Sequence, residues 1–243
     1  MIRIATYNVH RCRGMDRRVD VARIGEVLAH LDADVIALQE ILRGDVHGRS
    51  GARADQVQYV ARALGYDFAF GETRKMRGAA YGNATLSRLP ILFHQNYDIS
   101  WRHRERRGCL RIDVRARAGT LLHVYNVHLG TSMFERPHQV GRLLSEDVLH
   151  HSSLRGPRLV MGDFNDWTRS VAASLMGSNF ESVDMKLLGR RRTYPGLLPV
   201  LHLDHLYYDR VLRLAGFRLY RTKLSVVASD HLPLVAEFEL PRK

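Results

Sequence analysis

Arg158-Leu159-Val160-Met161-Gly162-Asp163-Phe164-Asn165 is a short apolar run that closes on a glycine, a carboxylate and, two positions later, a carboxamide. It reads as a buried strand that delivers two polar side chains to its end. In open α/β sheets, strand ends of this kind are where ligands sit. Period-two alternation puts Asp163 and Asn165 on one face, about 6 to 7 Å apart along the chain. An acceptor and a neutral donor/acceptor at that spacing suit one water molecule or one phosphate oxygen. Gly, Asp and Asn are equally at home in turns, so the stretch takes its meaning from the rest of the chain.

Working outward, a helix is expected from about Pro137 to Leu149, with Val140, Leu143, Leu144 and Val148 on one stripe. Before it, Leu121 to Leu129 reads as a strand ending on Asn126-Val127-His128-Leu129. Leu110 to Ala116 alternates as a half-exposed antiparallel strand, with Arg111 and Asp113 on its open face. The N-terminal stretch Ile2 to Tyr7 reads as a strand ending on Asn8. An amphipathic helix follows (Val21, Ile24, Leu28, Leu31) with Asp20 placed to cap it. Val35-Ile36-Ala37-Leu38 is then a doubly buried strand leading to Gln39-Glu40. A second helix spans Gln56 to Leu64 and stops at Gly65. Tyr66–Phe70 and Gly82–Ser87 read as strands joined by a basic loop, Gly71 to Tyr81. Towards the C-terminus a short helix is expected near Arg169 to Leu175, then a loop with Arg190-Arg191-Arg192 and Tyr194-Pro195-Gly196. Strands follow at Val200–Tyr208, Phe217–Tyr220 and Leu234–Leu240.

The 243 residues carry 45% hydrophobic side chains, enough for one large domain with a sizeable core. No apolar run is long enough to span a bilayer and no leader pattern is visible, so a soluble, cytoplasmic monomer is expected. Cys12 and Cys109 lie far apart, which gives neither a disulfide framework nor a thiolate metal site. The net charge of +12 comes almost wholly from arginine. Guanidinium forks match phosphate oxygens, so a phosphorylated or polyanionic partner is expected.

Short polar clusters thus recur at apolar strand ends: Asn8, Glu40, Asn126/His128, Asp163/Asn165, Asp204/His205 and Asp230/His231. With them come Thr6-Tyr7-Asn8-Val9, Leu38-Gln39-Glu40, Gly82-Asn83-Ala84-Thr85-Leu86-Ser87-Arg88, Leu203-Asp204-His205 and Ser229-Asp230-His231-Leu232-Pro233. As an ordered set, these motifs resemble the endonuclease/exonuclease/phosphatase family, the group related to DNase I and to abasic-site endonucleases. The resemblance runs from residue 6 to residue 233. It implies a four-layer α/β sandwich: two packed mixed β-sheets flanked by helices.

The resemblance also implies divalent-metal-dependent hydrolysis of a phosphate ester. Hard oxygen ligands suit Mg²⁺ or Mn²⁺. Glu40 is expected as the primary metal ligand, with Asn8 and Asp230 at or next to the ion. Asp163 is expected to position or deprotonate the attacking water, and Asn165 to hydrogen-bond the phosphate. His231 is expected to pair with Asp204, and either Asp163 or that pair would serve as general base. His128 would donate to a phosphate oxygen or to the leaving group, and Arg107, or its neighbour Arg106, would contact phosphate. His205 departs from the residue usual at its position in the abasic-site enzymes. Two substrate classes follow. One is nucleic acid, tracked by the arginine-rich loops at 11–18, 102–107 and 190–192. The other is a phospholipid head group or small phosphorylated molecule, for which an anionic membrane surface would be a partner.

Overall fold

A computed structural model describes residues 1–44, 55–116, 119–167, 170–183 and 192–241. The strands are β1 (Ile2–Asn8), β2 (Val35–Arg43), β3 (Asp67–Met76), β4 (Ala79–Ser87), β5 (Ile91–Asp98) and β6 (Gly108–Arg115). They continue with β7 (Leu121–His128), β8 (Arg158–Asp163), β9 (Glu181–Ser182), β10 (Asp204–Tyr208), β11 (Arg213–Leu219) and β12 (Leu234–Glu239). The helices are α1 (Val21–Leu31), α2 (Gln56–Leu64), α3 (Glu135–Leu143), α4 (Val171–Asn179) and α5 (Lys223–Ala228).

The strands form two six-stranded mixed sheets, ordered β11-β12-β1-β2-β4-β3 and β5-β6-β7-β8-β10-β9. The pairing sequence is the same in both. A single parallel pair, β1–β2 or β7–β8, sits at the centre with antiparallel strands on either side. Parallel neighbours need a crossover, and the chain supplies α1 in one sheet and α3 in the other.

Alternation along the central strands sorts their side chains into different cores. Ile4, Val35, Ala37, Leu159 and Met161 point between the sheets, where they meet Leu110, Ile112, Val124 and Phe238. Ala5, Ile36 and Leu38 point the other way, against Ile24, Leu28 and Leu31 of α1 and Val57 and Val60 of α2. Val160 and Tyr125 pack with Val140, Leu143 and Met176 under α3 and α4. Three cores separate four layers, which is why the central strands are apolar at consecutive positions.

The capping expectations hold. The Asp20 carboxylate accepts from Arg23 N at 2.9 Å, and Gly65 ends α2 at φ 67°. Several boundaries differ. The expected loop 71–81 is largely strand, because β3 and β4 pair down to Met76↔Ala79 and turn on Arg77 and Gly78, both at positive φ. α3 stops at Leu143, and the strand expected from Val200 begins only at Asp204. The open face expected for β6 is covered: Arg111 and Asp113 are buried as an ion pair at 2.7 Å, with His123 on the same carboxylate. Residues 45–54, 169 and 190–191, which fall in the expected loop, helix start and arginine run, lie outside the described residues.

Candidate active site

Asn126 fastens the two sheets together beside the ends of their parallel pairs. Its amide nitrogen donates to Leu38 O at 3.0 Å and Ala84 O at 2.9 Å in the facing sheet, and its oxygen accepts from Gln39 Nε2 at 2.8 Å. Asn83 donates in the opposite direction, to Gly108 O at 3.0 Å. These buried amides donate to buried backbone carbonyls across the gap between the sheets. They also bring the C-terminal ends of β1, β2, β7 and β8 to one edge of the sandwich.

Asp163 is the hub of that edge. Gly162 admits the turn that aims it: φ is 146°, and a Cβ there would lie 1.9 Å from Val127 O. The Oδ2 of Asp163 accepts from Asn8 Nδ2 at 2.9 Å and faces His128 Nε2 at 3.6 Å and His231 Nε2 at 3.8 Å. Its Oδ1 accepts from the backbone of Asn165 at 2.9 Å. Asn165 takes a left-handed φ of 49° and donates its amide to Leu129 O at 3.0 Å. Asp204, directly opposite Asp163 across the β8–β10 pair, accepts from His231 Nδ1 at 2.8 Å.

The first sheet contributes Asn8 and Glu40. The register of β2 against β4 jumps between Leu38 and Ile41, and Glu40 sits in that bulge at φ 56°. A bulge re-aims a side chain, and here the half-buried Glu40 carboxylate accepts from Asn8 Nδ2 at 3.2 Å. The Asn8 carboxamide therefore bridges Glu40 and Asp163 through its nitrogen, while its oxygen accepts from His10 N at 3.0 Å. Asp230 pairs with His10 Nδ1 at 3.3 Å, on the left-handed turn His10-Arg11-Cys12 that follows β1.

The electrostatics divide the titratable groups. Burial lifts the Asp163 carboxyl to about 6, against the opposing pull of His231. Burial alone would lower His231, but the carboxylates of Asp204 and Asp163 override it and raise the imidazole to about 10. His128 goes the other way: burial and the Arg107 charge hold it well below its usual range, so it is neutral. Arg107 Nη1 is 3.3 and 3.4 Å from the two ring nitrogens of His128, so the guanidinium lies over the ring face, while Arg107 Nη2 pairs with Glu105 at 2.9 Å. Arg106 is exposed and reaches Asp98 instead, at 3.6 Å. Desolvation raises Asp230, but His10 and His231 outweigh it and bring it below the usual carboxylate range.

The structure thus brings Asn8, Glu40, His128, Asp163, Asn165, Asp204, Asp230 and His231 to one edge, with Arg107 behind His128. Among the described residues, the tight acid/histidine group is Asp163, Asp204 and His231, whose ligand atoms lie within 4.8 Å of one another. His205 is turned away from it, stacked on Tyr207, edge-on to Phe164 and tilted against His202, with Nε2 3.0 Å from Asp166 O. Cys12 and Cys109 are buried free thiols, pushed up by burial.

Two tyrosines join the site that strand-end patterns do not single out. Tyr81 is buried and hydrogen-bonded to Glu40, and burial followed by that carboxylate raises its phenol. The Tyr194 ring lies 5.0 Å from that of His231, and its phenol is raised by burial and by Asp230, Asp163 and Glu40. Tyr81 falls in the stretch that reads from sequence as a basic loop, and only the structure places it in β4. Tyr194 lies in Tyr194-Pro195-Gly196, where the turn signal hides it.

Residues 5–231 match the Endonuclease/Exonuclease/phosphatase family. The protein YbhP of Escherichia coli (strain K12) is 31% identical over a 248-residue alignment that spans 98% of this chain and 96% of YbhP. Among solved structures, an endonuclease/exonuclease/phosphatase from Bacteroides vulgatus superposes with TM-score 0.80 at 17% identity, covering 98% of each chain. The mannosyl-6-phosphatase Bt3783 of Bacteroides thetaiotaomicron superposes with TM-score 0.78 at 17% identity, covering 99% of this chain and 100% of its own. With the two equivalent six-stranded sheets and the motif residues gathered where their parallel pairs end, this match over nearly the whole chain shows that the protein belongs to the endonuclease/exonuclease/phosphatase family of phosphoester hydrolases.

Proposed function

We propose that the protein is a divalent-metal-dependent hydrolase of phosphodiester bonds. The observation that carries this reading is the convergence of Asn8, His128 and His231 on one oxygen of buried Asp163, with Glu40 joined to it through Asn8.

The donor set fits a hard cation. Glu40 and Asp230 offer carboxylate oxygens at the edge, and the second oxygen of Asp204 is buried with no hydrogen-bond partner. Glu40 and Asp230 would hold Mg²⁺ or Mn²⁺, with the Asn8 amide keeping Glu40 aligned. When bound, the ion would offset negative charge on the phosphate oxygens. Asp163 has the accessible proton affinity to take a proton from the attacking water. His231, a cation oriented by Asp204, would stabilise the charge that develops on a phosphoryl oxygen. Neutral His128 would donate from Nε2 to a phosphate or leaving oxygen, with Arg107 adding charge from behind. Asn165 retains a second amide N–H for the substrate.

The arginine-bearing loops around this edge support a nucleic acid as substrate. A second reading, a phosphodiester carried by a phospholipid or another molecule with an apolar body, is favoured by the exposed apolar side chains that rim the same edge. Side-by-side turnover with Mg²⁺ or Mn²⁺ on plasmid DNA, RNA, bis-p-nitrophenyl phosphate and anionic phospholipid tests both. Turnover of at least one of them, abolished by chelation, is expected. Turnover indifferent to chelation would overturn the metal assignment, and inertness on all four would overturn the activity.

A further inference from the structure

We infer that the edge carrying the candidate active site docks onto an anionic phospholipid bilayer, through apolar side chains on one flank of the site and basic side chains on the other.

Three loops build the apolar flank. One follows β7 and exposes Met133 and Phe134, the latter 69% accessible. The second follows β8 and exposes Trp167, at 43%. The third precedes β10 and exposes Leu197, Leu198 and Val200, with Leu198 at 71%. All three leave the same edge, because β7 and β8 are parallel and β10 begins at Asp204, opposite Asp163. Side-chain contacts tie them together. Arg136 lies 5.3 Å over the Trp167 ring and 3.6 Å from Asp166, and His205, packed on His202 of the third loop, reaches Asp166 O at 3.0 Å. Soluble surfaces rarely cluster large apolar side chains in this way, and such clusters mark interaction sites.

The cationic flank comes from the other loops of the same edge. The tip of the β3–β4 hairpin, beside the end of β2, exposes Lys75 and Arg77. The loop entering β6, beside the end of β7, exposes Arg102, Arg104 and Arg106. The turn after β1 exposes Arg13, Arg17 and Arg18. Apolar and aromatic side chains beside a basic field are the chemistry of an interfacial membrane contact. The alternatives fit less well. Most of the apolar residues are aliphatic and have no π-face to stack on bases. A second copy of a chain with net charge +12 would place its arginines against these.

Docking rests on the hydrolase reading only for the sense of presenting the site to lipid phosphate, and it is measured without turnover. Co-sedimentation of the full chain with vesicles of phosphatidylcholine alone, and of phosphatidylcholine mixed with phosphatidylglycerol, is compared for the wild type, for Phe134→Ser with Leu198→Ser, and for Arg77→Glu with Arg104→Glu. The far-UV circular dichroism spectrum and the thermal midpoint, both unchanged, report that each variant is folded. The wild type binds the anionic vesicles and binds the neutral ones more weakly, and each pair of substitutions weakens anionic binding by about tenfold or more. No binding to either vesicle, or binding that neither pair alters, overturns the proposal. Were the apolar pair instead to abolish self-association or duplex DNA binding while leaving vesicle binding intact, the face would belong to a second copy or to nucleic acid, and the proposal would fall.

Discussion

Gly162 and Asp163 decide the site between them. A side chain at position 162 must take a φ of 146° and occupy space 1.9 Å from Val127 O, so Gly162→Ala should destabilise the protein by about 2 kcal/mol or more. A urea midpoint equal to wild type would show that β7 and β8 can part without cost. His231 gives a pH signature. In the metal-free protein its imidazole is raised from 6.5 to about 10, so it binds its proton more tightly folded than unfolded. Its contribution to stability is complete below about 6.5 and is lost as pH rises towards 10. Asp163, raised from 3.8 to about 6, acts in the same sense at lower pH. The urea midpoint measured in chelator should therefore fall between pH 6.5 and 10, and His231→Gln should flatten that stretch. An identical slope in the variant would remove the Asp204–His231 charge pairing from the account.

Elements position these residues, and here the division between what the sequence discloses and what it hides has physical causes. α1 and α2 announce themselves through helical spacing, the Asp20 cap and the Gly65 stop, all local interactions. The polar clusters at strand ends are equally local. By contrast β5 is an edge strand whose residues are mostly exposed, so it lacks the alternation that marks a half-buried strand. The bulge at Glu40 depends on how β2 pairs with β4, and the sequence of β2 alone does not contain that partner. Tyr81 and Tyr194 join the site through contacts between sheets and loops distant in sequence. The apolar rim escapes for the same reason: each loop contributes one to three such residues, too few for any window to register. The clamp between the sheets is an element-scale claim with its own test. Asn126→Ala strips partners from Leu38 O, Ala84 O and Gln39. It should cost about 1 to 3 kcal/mol for each buried group left unpaired, read as a lowered thermal midpoint. A neutral substitution would mean that packing, rather than these hydrogen bonds, sets the distance between the sheets.

Across the whole molecule, two sheets of equivalent topology each present the end of one parallel pair, and the candidate site draws residues from both. Asn8 and Glu40 belong to one sheet, His128 and Asp163 to the other, so the site is assembled only while the sandwich is closed. Among the described residues no helix is long and apolar enough to cross a membrane. The proposed contact with a bilayer is made by the loops that rim the site. The net charge of +12 adds a long-range pull on anionic partners that salt should weaken. The role proposed for Asp163 is to accept the proton of the attacking water in metal-dependent phosphodiester hydrolysis, and Asp163→Asn isolates it, since it keeps the shape of the hub and removes its basicity. With bis-p-nitrophenyl phosphate and saturating Mg²⁺ or Mn²⁺, kcat should fall by about 100-fold or more while the protein remains folded. A folded variant that turns over at the wild-type rate would contradict the account.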